Sequence, residues 1–205
     1  MNSDTASLDL DERLHAVLAL YHDRIEEERN GGGGPHQHMA LGPRAGRLIN
    51  LIVRSLEAPR VLELGTSLGY STVWLADAAR ASGGRVTTLE LEAEKSEMAR
   101  EMAETAGLAG YVDYLVGDAL DLVPTLEGPF DFVLIDHWKD LYAPSFEAVL
   151  PKLAPGAILV ADNMIRGGTR SGPAVYAEAV RATPGMSSVL LPVGSGLEVS
   201  RYMPD

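Results

Sequence analysis

The chain has 205 residues, no cysteine, 17 Lys plus Arg against 29 Asp plus Glu, and a formal net charge of −12. That length fits one domain with a short appendage and buries a core without disulfide staples. The acidity removes the basic footprint of a nucleic-acid binder and disfavours anionic membranes, no apolar run approaches the roughly 20 residues that span a bilayer, and the first 14 residues lack the basic and apolar regions of a secretory signal, so a cytoplasmic protein with no nucleic-acid or membrane partner is expected.

Leu10, Leu14, Val17, Leu18, Tyr21 and Ile25 recur at spacings of three and four, which predicts an amphipathic helix over 8–29, started by Ser7 or Asp9. Its far end, with Asp23, Glu26, Glu27 and Glu28, is acidic and reads as a solvated face. Residues 31–34 are all glycine and Pro35 follows. Such a run holds neither helix nor strand. No strand precedes it and no Gly-Lys-Ser/Thr follows, so a hinge or mobile lid is expected rather than a phosphate loop. Residues 1–42 are therefore assigned to a helix with a hinge, and 43–205 to the main domain. Leu48, Ile49, Ile52, Val53 and Leu56 mark a second helix, with Pro43 near its start.

From Arg60 the rhythm changes. Strands are predicted at 61–64, 85–90, 112–116, 130–136 and 157–161, with helices near 70–81, 93–106, 118–126 and 141–153 between them. Such alternation means an α/β fold with a parallel sheet and crossover helices. A helix near 173–182 follows, then strands at 187–191 and 197–202. Their short connection through Gly194, Ser195 and Gly196 makes them antiparallel. A terminal hairpin is unlike a dinucleotide dehydrogenase, whose halves are both parallel.

The first strand runs Val61-Leu-Glu-Leu-Gly65 and opens a helix through Gly69. The spacing is Glu-x-Gly-x-x-x-Gly, not the Gly-x-Gly-x-x-Gly that seats a pyrophosphate. Glycines here let a ligand approach the backbone. An acidic Glu63 beside the turn repels phosphate and suits a cationic or amine-bearing ligand, such as S-adenosylmethionine. Glu90 ends the second strand, where a carboxylate accepts both ribose hydroxyls of a nucleoside. Asp118 follows the third strand, placed for an adenine amino group or for capping the next helix.

The fourth strand ends Asp136-His-Trp-Lys-Asp140 and the fifth ends in Asp162-Asn163. Both ends lie on the carboxyl edge of a parallel sheet, so these side chains are expected close together. Two carboxylates and an amide carbonyl make a hard, all-oxygen set for Mg²⁺ or another divalent cation. Both aspartates also fit helix capping. No histidine pair has zinc spacing, although His36 and His38 frame a minor alternative. Lys139 is one of three lysines. Beside a metal it reads as a neutral amine able to take a proton, or as an ordinary surface lysine. Trp138 could wall an aromatic pocket or simply pack.

Residues 39–163 resemble the catechol O-methyltransferase family of class I S-adenosylmethionine-dependent methyltransferases. The likeness is carried by 61–65, by Asp136-His-Trp-Lys-Asp-Leu-Tyr142 and by Gly156-Ala-Ile-Leu-Val-Ala-Asp-Asn163, with 196–202 similar to the family's last strand. It implies a Rossmann-like, seven-stranded, mostly parallel sheet with an antiparallel last strand, helices on both faces and extra N-terminal helices. It implies that Asp136, Asp162 and Asn163 hold Mg²⁺ and that Lys139 is the general base. Glu90 would hold the ribose, and Glu63, Gly65 and Ser71 would lie along the methionine part. Asp118, Ala119, Asp136, His137 and Trp138 would flank the adenine side of the cofactor, and Met39 the transferred methyl. The acceptor would be a small phenolic molecule, and the resemblance leaves room for a homodimer. Two features depart from the animal enzymes. Gln37 stands where they carry Trp, and 183–196 contains no matching Glu for the second catechol hydroxyl. The competing readings are a non-catalytic S-adenosylmethionine-binding domain and a nucleotide-dependent oxidoreductase.

Overall fold

A computed structural model describes residues 11–31, 41–165 and 172–204. Its centre is a seven-stranded sheet of short apolar strands: β1 (Arg60–Leu64), β2 (Arg85–Glu90), β3 (Val112–Val116), β4 (Phe130–Ile135), β5 (Leu153–Ala161), β6 (Met186–Leu191) and β7 (Leu197–Tyr202). The order is β3-β2-β1-β4-β5-β7-β6. The first five strands pair in parallel. β7 is antiparallel to both β5 and β6, so it alone runs against the rest. The predicted βα alternation and terminal hairpin are both present.

Among the described residues, seven α-helices cover the two faces: α1 (Glu12–Arg29), α2 (Pro43–Arg54), α3 (Tyr70–Ser82), α4 (Ala93–Thr105), α5 (Ala119–Leu122), α6 (Tyr142–Val149) and α7 (Gly172–Ala182). Successive strand residues point to opposite faces. Val61, Phe132 and Leu134 therefore join one core with α1 to α4. Leu62, Leu64, Val133 and Ile135 join a second core with α5 to α7. Burial on both faces explains why these strands read as continuous apolar runs.

The boundaries differ from expectation where proline intervenes. The stretch 118–126 is a short α5 followed by a 3₁₀ turn, Val123–Thr125, because Pro124 cannot donate the next helical hydrogen bond. Pro151 ends α6 in the same way. β5 starts at Leu153, before the expected Ala157. Pro155 and Gly156 form an irregularity inside the strand, where Gly156 has φ +89° and the pairing with β4 shifts. At the N-terminus the cap is Asp11, whose side chain accepts from the Arg13 backbone N–H at 2.9 Å. Ser7 and Asp9 lie outside the described residues, as does the proposed hinge apart from Gly31. α1 is tied to the sheet: Leu14, Val17, Leu18 and Tyr21 are buried, and the Tyr21 hydroxyl donates to the Leu68 carbonyl at 2.6 Å. No described helix is long and apolar enough to cross a membrane.

The strand order reverses between β1 and β4. Connections leave β1 toward β2 and β4 toward β5, so a crevice opens over the carboxyl ends of these strands.

Candidate active site

That crevice is a solvent-open cleft walled by residues at the ends of β1 to β4, among them Gly65, Glu90, Asp118, Ala119, Asp136 and His137. The strand ends are pinned to one another. Asp136 N–H donates to the Leu64 carbonyl at 2.9 Å, and Asp162 N–H to the Ile135 carbonyl at 3.2 Å. Gly65 has φ +100°, and a Cβ there would lie 2.3 Å from the Asp136 carbonyl oxygen. At Gly69, with φ +88°, a Cβ would lie 2.8 Å from Ala99 Cβ. These glycines therefore have a role inside the protein beside the ligand approach expected of them. Both are required by the protein's own close packing, and Gly65 additionally lines the cleft.

The carboxylates at the ends of β1 and β2 play different parts. Glu63 is fully buried below the turn. Its oxygens accept from Ser71 Oγ at 2.5 Å, Thr72 Oγ1 at 2.6 Å and Thr88 Oγ1 at 2.6 Å. Burial pushes its carboxyl up to about 7, although the three hydroxyls pull it down. Glu90 instead faces the cleft. Its two oxygens accept from the Ser67 N–H at 2.7 Å and the Glu92 N–H at 3.1 Å. A carboxylate has about four acceptor sites, so capacity for a diol remains while the backbone fixes its direction. Asp118 caps α5 through the Leu120 N–H at 2.8 Å and also lines the cleft, so the two roles weighed for it are compatible.

Asp136, Asp162, Asn163 and Lys139 come together at the ends of β4 and β5. Asp162 is 2% exposed. Its Oδ2 accepts from Asn163 Nδ2 at 3.0 Å, and its Oδ1 is buried with no hydrogen-bond partner. Asn163 adopts φ +58°, a left-handed conformation that asparagine tolerates. Its Oδ1 accepts from Lys139 Nζ at 2.9 Å. Burial pushes the Asp162 carboxyl up to about 6, against the Asn163 hydrogen bond and the Lys139 charge. Asp136 is raised well above the carboxylate range by burial, then by the neighbouring charges of Asp162 and Glu63. Among the described residues no group of three or more His, Cys, Asp or Glu gathers as a metal cluster. The set here is two carboxylates and an amide, with one buried oxygen to spare.

His137 lines the cleft half-buried, and Trp138 stands at its rim, 68% exposed. Burial lowers the His137 imidazole below its ordinary value. Met39, Gln37, His36 and His38 lie outside the described residues. Sequence reasoning missed the Thr72 and Thr88 hydroxyls that close around Glu63. It also missed the Tyr142 hydroxyl, which donates to the Asp162 carbonyl at 3.1 Å. Tyr142 lay within the motif read from the sequence, but only the fold shows what it touches.

A sheet of this order with its reversed last strand, carrying a nucleoside-type cleft over β1 and β2, defines a class I methyltransferase fold. Residues 62–164 match the family described as a methyltransferase domain. The chain is 41% identical over 145 residues to catechol O-methyltransferase of Mycobacterium tuberculosis, covering 70% of this chain and 66% of that enzyme. It is 33% identical over 176 residues to a probable O-methyltransferase of the same organism, covering 80% and 73%. Among solved structures, the O-methyltransferase TomG of Streptomyces achromogenes, in complex with S-adenosylmethionine, superposes with a TM-score of 0.80 at 28% identity, covering 98% and 93%. The chain belongs to the catechol O-methyltransferase-like family of class I O-methyltransferases. It spans just under two thirds of the length of the M. tuberculosis catechol enzyme.

Proposed function

We propose that this protein transfers a methyl group from S-adenosylmethionine to one hydroxyl of a vicinal diphenol, with Mg²⁺ or a similar hard cation held by Asp136, Asp162 and Asn163. The observation that carries this reading is the buried, unpartnered Asp162 Oδ1 beside a second carboxylate and an amide. An oxygen left without a donor inside the protein is costly unless a cation meets it. The all-oxygen donor set suits a hard ion and leaves about half an octahedron for other ligands. When bound, such an ion supplies Lewis-acid polarisation that lowers the pKa of a phenolic hydroxyl from about 10. When bound, S-adenosylmethionine supplies the methyl group.

The chain's own residues orient the reactants and move one proton. Glu90, already aimed by two backbone N–H groups, accepts from the ribose hydroxyls. Asp118, Ala119, His137 and Trp138 border the adenine. Gly65 and Ser71 border the methionine part, with Glu63 acting from below by fixing Ser71. Met39 is assigned to the transferred methyl. Lys139 Nζ, held beside Asn163 Oδ1, accepts the acceptor's hydroxyl proton. Alignment of two bound reactants supplies several kcal/mol, roughly 7–11 at best.

The sequence argues for an open acceptor side. Gln37 replaces an aromatic wall, and the β6–β7 turn carries no gating Glu. Acceptors larger than catechol, such as caffeic acid or a flavonoid with a 3′,4′-diol, should therefore be methylated with loose regioselectivity. The test is kcat/KM with labelled cofactor for paired diol and monophenol acceptors of increasing size, in Mg²⁺ and in EDTA. Diols active in Mg²⁺ alone are expected. Full turnover in EDTA would sink the metal assignment, and equal rates on monophenols would sink chelation through two oxygens. A preference for the smallest catechol with one exclusive product would contradict the open rim. Cofactor binding without turnover of any acceptor would favour a non-catalytic domain.

A further inference from the structure

α6 carries two buried polar side chains that the reaction as described leaves without a task. Tyr142, with no exposed surface, donates its hydroxyl to the backbone carbonyl of Asp162 at 3.1 Å. Ser145, three residues on and equally buried, lies 2.9 Å from His137 Nε2. The other ring nitrogen, Nδ1, lies 3.1 Å from the Trp138 carbonyl oxygen. A carbonyl only accepts, so Nδ1 carries the proton and Nε2 accepts from the Ser145 hydroxyl. Both ring nitrogens are then spent inside the protein. His137 therefore meets a ligand in the cleft through its ring surface and donates nothing to it.

The two contacts reach different halves of the site. Tyr142 ends on the turn that presents Asp162 and Asn163. Ser145 ends on the His137–Trp138 wall of the cleft. Residues three apart on a helix share a face, so one side of α6 braces both. The Tyr142 ring also stands edge-on to His137, with centroids 5.5 Å apart. Tyr176 of α7 packs edge-on against Tyr142 at 5.9 Å and against Phe146 at 5.9 Å, which backs the brace from the far side.

We propose that Tyr142 and Ser145 are positioning residues: Tyr142 sets the Asp162–Asn163 turn for the divalent cation, and Ser145 sets the His137 tautomer and the Trp138 wall for the nucleoside. This rests on the assignment of ion and cofactor made above. Groups that hold a metal ligand from behind typically control metal affinity by 10–100-fold. A single hydrogen bond to a neutral cleft residue controls less.

The experiment compares Tyr142→Phe, Ser145→Ala and Tyr176→Phe in the full chain. Tyr176 is the control, because its buried hydroxyl has no partner among the described residues. Two constants are read without acceptor: Mn²⁺ binding by electron paramagnetic resonance and S-adenosylmethionine binding by calorimetry. Tyr142→Phe should weaken Mn²⁺ binding about ten-fold and leave cofactor binding within about two-fold. Ser145→Ala should weaken cofactor binding about five-fold and leave Mn²⁺ within about two-fold. Tyr176→Phe should move neither. Unchanged constants, an equal loss of both, or a control that copies Tyr142→Phe would overturn the proposal and reduce these contacts to general packing. A wild-type protein that binds no Mn²⁺ would instead overturn the metal assignment, and the Tyr142 half with it. Absence of cofactor binding by the wild type would do the same for the Ser145 half.

Discussion

Glu63 and Asp162 are both buried carboxylates at the carboxyl edge of the central sheet, yet their oxygens are treated differently. Three hydroxyls donate to Glu63, two from α3 and one from β2. Asp162 receives one side-chain donor, from Asn163, and keeps a second oxygen buried and unpaired. Both carboxyls are raised by burial, Glu63 to about 7 and Asp162 to about 6. Burial alone therefore does not separate the two. The neighbours do: a carboxylate ringed by donors is a finished structural unit, and one with an oxygen to spare keeps capacity for a further partner.

The sharpest way to break this comparison is to remove the open pair. Asp136→Ala or Asp162→Ala should cost on the order of 10³-fold or more in kcat/KM, because several kcal/mol of charge stabilisation go with the ion. Both sit at strand ends, so circular dichroism should report an intact fold. A mutant with near-normal kcat/KM would put Asp162 in the same structural class as Glu63. Lys139→Ala comes next, with kcat down about 10²- to 10³-fold, the scale of a positioned base. Cofactor affinity should hold, and the loss should shrink for acceptors already ionised at the assay pH. Near-normal kcat would return Lys139 to the surface lysines.

Smaller effects are expected at the first two strand ends. Glu90→Ala should weaken S-adenosylmethionine binding about 10- to 100-fold, the range for hydrogen bonds to a charged group. Calorimetry reads this directly, and an unchanged constant would remove Glu90 from the cofactor site. Glu63→Gln should affect kcat/KM least and show itself in stability. The folded state holds the Glu63 proton up to about pH 7, against an ordinary carboxyl value of 4.5. Between those values the folded form binds more protons than the unfolded form, so this group makes stability fall as pH rises and level off above about 7. Glu63→Gln should remove that part of the slope, an effect of up to about 3 kcal/mol. The difference in Tm between wild type and variant, followed from pH 4.5 to 8, reads it. A difference that does not vary with pH would show that Glu63 is ionised throughout.

Apolar spacing made most of the architecture legible. Strands of alternating destination with helices between them leave few ways to build a sheet, and each predicted strand is present. What failed was local. Pro124 and Pro151 shortened helices whose apolar pattern ran on, and β5 begins at Leu153 rather than Ala157, across the irregularity at Gly156. At the site, residue type and position along the strand were enough to single out Glu63, Glu90, Asp136, Asp162 and Lys139. They were not enough to rank them. Gly65 looked like room for a ligand, and it is also room for the Asp136 carbonyl.

The sequence by itself determined which residues stand at the carboxyl edge, because strand ends follow from hydrophobic periodicity and a parallel sheet puts every such end on one side. Only the tertiary structure decided what each of them can still bind. Hydrogen-bond capacity is consumed by partners far away in the chain: Thr88 reaches Glu63 across 25 positions, Lys139 reaches Asn163 across 24, and Tyr142 reaches the Asp162 carbonyl across 20. Those pairings depend on strand register and helix rotation to within about an ångström, the precision at which a hydrogen bond exists or does not. No pattern of residue types along one chain carries that information, and so the closed carboxylate and the open one look alike until the fold sets their neighbours around them.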